Sequence, residues 1–194
     1  MRKGKLIAFE GIDGCGKETQ ISLIKSEHPD ILIFKYPSKK TPLLGKYLAK
    51  KIELSGKKLL KLFLNDIKRD QKIIEKALYL GKNIILDRYI FSTLAYEKPG
   101  ISFKEAKRII REYEFLKPDM VFLLDISPEI SQKRKRSQKK LDRYESNIQY
   151  LTKVRKNFLL IYKDKFMCKK WIKIDTKNSI PYVNTKIEKM LKNL

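Results

Sequence analysis

The sequence predicts an α/β protein in which a parallel sheet of about five strands carries helices on both faces. Two observations point there. Short apolar runs bounded by glycine, proline or charge alternate with longer stretches of helical spacing along all 194 residues. A glycine-rich turn, Gly11-Ile12-Asp13-Gly14-Cys15-Gly16-Lys17-Glu18-Thr19, joins the first apolar run to the first helical stretch.

Lys5 to Glu10 (KLIAFE) reads as the first strand, and the residues from Gly16 onward, with Ile21, Leu23 and Ile24 at helical spacing, read as the first helix. The turn between them follows the pattern Gly, four residues, Gly-Lys-Ser/Thr, except that Glu18 stands where the hydroxyl residue belongs. Gly11, Gly14 and Gly16 let the backbone turn tightly and aim N–H groups at phosphate oxygens, while the helix adds its positive N-terminal end. Lys17 adds a mobile charge for the β and γ phosphates. The expected class is therefore the three-layer phosphate-loop NTPase fold, with ATP bound along residues 11 to 19 and Mg2+ beside it.

Further strands are expected at Ile31 to Tyr36, Asn83 to Asp87, Met120 to Asp125 and Trp171 to Asp175, each covered on both faces. Helical patterns occupy Pro42 to Glu53, Lys57 to Leu80, Phe103 to Phe115, Glu129 to Arg136, Glu145 to Lys163 and Ile180 to Leu191. Ligands of such sheets sit at the carboxyl ends of the strands, so Tyr36, Asp87 and Asp125 face the crevice of the glycine loop. Residues 1 to 194 read as one domain, with the polar segment KRKRSQKK opening a mobile lid over 133 to 143.

Lys and Arg total 45 against 22 Asp and Glu, a formal charge of +23. The basic residues are spread along the chain rather than gathered in an arm, which favours a solvated surface, and no nucleic-acid partner is expected. Cys15 and Cys168 lack metal-ligand spacing, and no run approaches the ~20 apolar residues of a membrane span. A reduced, cytoplasmic protein with no membrane partner is expected.

Two places carry the chemistry. Glu18 either ligates magnesium, directly or through water, or points away and leaves the site to water; Thr19 cannot replace it, because the next residue of a helix points about 100° away. Asp87-Arg88-Tyr89, followed by Phe91-Ser92-Thr93 and Tyr96, sits at a strand end facing the loop. There an Arg can clamp a phosphate bidentately and an Asp can hold magnesium through water. Glu18 and Asp87 are thus the metal candidates, and Lys17 and Arg88 the catalytic ones.

The segments EGIDGCGKETQ, YPSKKT, DRYIFSTLAYE, KPDMVFLLDISPEISQKRKR and LDRYE, in that order between residue 5 and about residue 175, resemble the thymidylate kinase family. The resemblance implies transfer of the γ-phosphoryl group of ATP to dTMP, within dTTP biosynthesis, by a homodimer. It places Asp13 on the sugar 3′-hydroxyl, Lys39 and Arg88 on the acceptor phosphate, and Phe63 against the base. Ser92 and Thr93 would line the base pocket beside Tyr36, Tyr96 would crowd the sugar 2′ position, and Tyr144 would lie near the base, with Arg143 at the lid's end. Phe63 equally fits an ordinary core position in an amphipathic helix. With Gly14 in place of a loop arginine, transition-state charge is expected from Arg134 and Arg136 in the lid. Ile67 replaces an arginine that reaches a base carbonyl in the family, so thymine recognition loses a donor unless Arg69 swings in. A nucleotide kinase of relaxed base choice, or a non-catalytic nucleotide- or nucleic-acid-binding protein with a degenerate loop, stays open as an alternative.

Overall fold

A computed structural model of the chain describes residues 3–136 and 147–192. Five strands, β1 (Leu6–Glu10), β2 (Leu32–Lys35), β3 (Ile84–Asp87), β4 (Met120–Asp125) and β5 (Trp171–Asp175), form one parallel sheet in the order β2-β3-β1-β4-β5. Among the described residues nine helices surround it: α1 (Lys17–Glu27), α2 (Pro42–Leu48), α3 (Gly56–Lys68), α4 (Gln71–Tyr79), α5 (Ile90–Ala95), α6 (Phe103–Glu112), α7 (Pro128–Arg136), α8 (Ile148–Lys163) and α9 (Ile180–Leu191). This is the expected phosphate-loop architecture. β1 leaves the centre of the sheet and runs straight into the glycine loop, where strand order reverses and α/β ligands bind.

The central strands β1 and β3 are buried at every position, and β4 at all but its last, so their apolar runs are uninterrupted. Phe9 and Phe122 lie side by side across β1 and β4, ring centroids 5.0 Å apart and both fully buried. Truncating either to Ala removes about 3–5 kcal/mol. β2 departs from the expectation of two covered faces: Leu32 and Ile33 are each 38% exposed. It is an edge strand that pairs only with β3, and β5, the other edge, is likewise only partly covered, with Trp171 and Ile174 buried and Lys173 and Asp175 exposed.

Three helical expectations change. The pattern read over Lys57 to Leu80 divides at Arg69-Asp70 into α3 and α4, with the Asp70 N–H donating back to the Ile67 carbonyl at 3.3 Å. The division turns three side chains, Asp66, Arg69 and Asp70, towards the segment after β2. The pattern from Pro42 stops at Leu48, because Lys50 takes a left-handed conformation (φ 59°) and turns the chain out. α5 escapes a periodicity reading because all six of its residues are buried, leaving no polar face to mark the turn of a helix. Of the expected lid over 133 to 143, the described part lies in α7. Residues 137 to 143 lie outside the described residues, as do Arg143, Tyr144 and the side chain of Arg136.

Candidate active site

The glycine loop bends where no side chain fits. Gly11, Gly14 and Gly16 have φ of 141°, 73° and 96°. A Cβ on Gly11 would stand 2.4 Å from the Leu124 carbonyl oxygen, and one on Gly14 2.7 Å from that of Ser131 in α7. Lys17 opens α1 and folds its buried ammonium back over the loop, donating to the carbonyls of Gly11 (3.0 Å) and Ile12 (3.1 Å) and reaching the Cys15 sulfur at 3.4 Å. Asp13, Gly14, Cys15, Gly16, Lys17, Glu18 and Thr19 line a cavity of about 480 Å³. Gly11 and Ile12 shape the loop from behind that lining.

Against the loop stands a clamp built from β3. Arg88, the residue after β3, has φ 69°, a left-handed conformation that costs a non-glycine residue about 1–3 kcal/mol. Its guanidinium donates to the Gly11 carbonyl (3.1 Å), to Ser92 Oγ (3.0 Å) and to Asp13 Oδ1 (2.5 Å). The Tyr96 hydroxyl donates to the other Asp13 oxygen at 2.8 Å, and the Tyr96 ring lies 5.4 Å from the guanidinium carbon. Burial would raise the Asp13 pKa, but Arg88, Lys17 and the Tyr96 hydroxyl outweigh it and hold the carboxyl well below the usual range. Asp13 therefore stays charged, and Arg88 stays protonated.

Glu10, at the buried end of β1, supports this clamp and was not singled out from sequence. Its carboxyl accepts the N–H of Tyr89 (2.7 Å) and of Ser92 (3.3 Å) and the Ser92 hydroxyl (2.5 Å), so it ties the first turn of α5 to β1. Burial pushes its pKa up to about 7 against these bonds.

The two metal candidates meet at a third residue. Lys35 and Asp87 are register partners across β2 and β3, and paired residues of parallel strands project to one face. The Lys35 ammonium lies 3.5 Å from Asp87 Oδ2 and also pairs with Glu18. Its bond to Lys35 is the main cause of the lowered Glu18 pKa. Two hard carboxylate donors thus converge on a position that already takes positive charge, which suits Mg2+. Lys35, too, went unremarked in the sequence, because its pairing with Asp87 exists only through the register of β2 on β3.

The far end of the cavity carries Phe63 and Ile67 on one face of α3, with Thr93 from α5 and Tyr96 at its C-terminal cap. Ser92 also lines the cavity, its hydroxyl engaged by Glu10 and Arg88. Tyr36 lines it with its ring and donates its hydroxyl to Asp70 at 3.2 Å. Lys39 is exposed and outside the lining. Arg69 does not swing in: its guanidinium pairs with Asp66 and donates to Thr41 Oγ1 (3.0 Å), Ser38 Oγ (3.3 Å) and the Lys40 carbonyl (3.2 Å). Asp66 accepts from Ser38 and Thr41 as well, so this network pins the segment after β2 to α3. Lys98 enters where no sequence signal pointed. It is buried, lies 4.8 Å from the Phe63 ring centroid, and burial lowers its pKa to about 7.

From α7, which packs against the loop at Gly14, Arg134 and Lys135 line the cavity. Arg134 donates to the Thr176 carbonyl at 2.8 Å, and Ser131 Oγ bonds the carbonyl of Asp13. Phosphate loop, clamp, paired carboxylates and basic helix thus border one cavity at the carboxyl ends of the strands.

Comparison with known proteins gives the family. A family model described as thymidylate kinase matches residues 9–187. A thymidylate kinase of Prochlorococcus marinus (strain MIT 9312) is 36% identical, over 98% of this chain and 97% of its own. A probable thymidylate kinase of Methanosarcina mazei is 35% identical over 82% of each. A solved structure of thymidylate kinase from Candida albicans has a TM-score of 0.81 at 26% identity, covering 100% of this chain and 93% of that one. On match lengths that take in the loop, the clamp and α7 together, the chain belongs to the thymidylate kinase family.

Proposed function

We propose that this chain transfers the γ-phosphoryl group of ATP to dTMP, giving ADP and dTDP. The observation that carries the reading is the Asp13–Arg88–Tyr96 cluster set against the phosphate loop, a fork and a carboxylate placed to hold a second, phosphorylated ligand opposite the triphosphate. In this reading Arg88 trades its contact with Asp13 for the acceptor phosphate, with Lys39 approaching from the exposed segment after β2. Asp13 takes the sugar 3′-hydroxyl. Tyr96, anchored through Asp13, leaves no room for a 2′-hydroxyl. Phe63 lies against the base, with Tyr36, Ser92, Thr93 and Tyr144 around it.

No protein nucleophile is needed, since an oxygen of the acceptor phosphate attacks the γ-phosphorus in line and ADP leaves. Residues 11 to 19 cradle the donor phosphates through backbone N–H groups, and Lys17 leaves the loop carbonyls to meet the β and γ oxygens. Glu18 and Asp87 would hold Mg2+, which would supply positive charge to offset that of the donor phosphates. Lys35 has to give up that position. Arg134 and Arg136 supply charge to the transferring group when the lid, 133 to 143, closes and excludes water. The proposal extends to one kinase domain over 1 to 194, a cytoplasmic homodimer, and no nucleic-acid or membrane partner. Among the described residues no helix is long and apolar enough to cross a membrane.

A coupled assay of ADP release with dTMP, dUMP, UMP, CMP and AMP tests the reading. The expected outcome is highest kcat/KM for dTMP; clear preference for a purine monophosphate rejects it.

A further inference from the structure

The apolar end of the cavity poses a recognition problem. A pyrimidine laid against Phe63 presents carbonyl oxygens that lose water and need donors, because an unmet buried acceptor costs as much as a good hydrogen bond gains. Among the nearest residues the Thr93 hydroxyl is one neutral donor, and the others offer little. Ile67, one turn after Phe63, has no donor, the Ser92 hydroxyl is engaged by Glu10 and Arg88, and Arg69 is held by Asp66, Ser38 and Thr41.

Lys98 is placed differently. It is only 5% exposed, yet it lines the cavity. Its ammonium donates to the carbonyls of Thr93 (3.2 Å) and Tyr96, at the C-terminal end of α5, where a cation satisfies orphan carbonyls and the helix dipole. Those two bonds fix the head group 4.8 Å from the Phe63 ring centroid. An ammonium has three N–H donors, and the two carbonyls account for two of them. A planar base stacked on Phe63 has to share its surroundings with the third.

Resting on the acceptor assignment above, we propose that Lys98 is the specificity-determining donor of the base pocket, held by the end of α5 so that its remaining N–H meets a carbonyl oxygen of the pyrimidine. The helix cap and the base contact belong to one head group. The cap positions the ammonium without saturating it, and a ligand carbonyl that accepts its remaining N–H favours the charged form against the burial that lowers its pKa to about 7. A base presenting an amino group at that point would set donor against donor and be rejected.

Binding to the wild-type protein and to Lys98→Met, followed by calorimetry with dTMP and with 2-deoxyribose 5-phosphate, tests this. Wild type should bind dTMP more tightly than the baseless sugar phosphate; failure of that comparison rejects the acceptor assignment itself, separately from Lys98. In Lys98→Met, dTMP should weaken at least about tenfold while 2-deoxyribose 5-phosphate is unchanged. An unchanged dTMP affinity, or equal weakening of both ligands, overturns the proposal and leaves Lys98 as a helix cap. The wild-type protein gives a test that needs no variant: 2-thio-dTMP or 4-thio-dTMP, in which a poor acceptor replaces one carbonyl oxygen, should bind at least about fivefold more weakly than dTMP. Equal affinity for all three nucleotides overturns the proposal.

Discussion

Arg88 meets the Gly11 carbonyl, the Ser92 hydroxyl and the Asp13 carboxylate from a strained backbone, and that strain is what aims its fork across the cavity. Lysine at this position keeps the charge but loses the planar, two-point grip. Arg88→Lys is expected to keep the fold and to lower kcat/KM for dTMP by about 100-fold, read in steady-state kinetics beside a thermal melt. Glu18 calls for a different measurement, because it is exposed and pairs with Lys35. In Glu18→Ser the dependence of turnover on Mg2+ concentration should shift by at least about fivefold; identical curves would remove Glu18 from the metal's ligands. The loop, Asp87 and Arg88 were legible in the sequence because each belongs to a local pattern. Lys35, Lys98 and Glu10 were not, because each becomes significant only through a partner distant along the chain or through burial. Lys98 is one of many lysines until Phe63 in α3 comes to stand beside it.

Element boundaries show the same division. β4, β5 and α9 match the sequence reading to the residue, since proline or charge brackets each of them. α5 is invisible for lack of a polar face, and the break between α3 and α4 is invisible because each half continues an apolar stripe. Glycines provide a test at this scale. A Cβ on Gly56, at the start of α3, would stand 1.7 Å from the Pro99 carbonyl oxygen, so the loop after α5 rests directly on α3. Gly45, inside α2, meets nothing within 4 Å. Gly56→Ala should therefore destabilise by about 2 kcal/mol or more, and Gly45→Ala should stabilise by about 0.5–1 kcal/mol, both read from urea unfolding.

For the molecule as a whole, Glu10 sets a pH dependence. Its folded pKa, about 7, lies above the ordinary value of 4.5 because of burial. The carboxyl therefore contributes stability that is fully present below about 4.5 and lost as pH rises towards 7. The full loss is on the order of 3 kcal/mol. Lys98 acts in the opposite direction at higher pH: with its pKa lowered from 10.5 to about 7, stability returns as pH rises from 7 towards 10.5. Glu10→Gln should remove the decline between pH 5 and pH 7 and leave the rise above pH 7, which urea titrations across that range would show. The contact between Gly14 and α7 also bears on descent. The Ser131 carbonyl occupies the space of any side chain at position 14, where φ is in any case left-handed. An ancestor or descendant carrying its transition-state arginine in the loop could not be reached by replacing Gly14 alone. It would first need α7 to retreat, so the loop and α7 would have to change together.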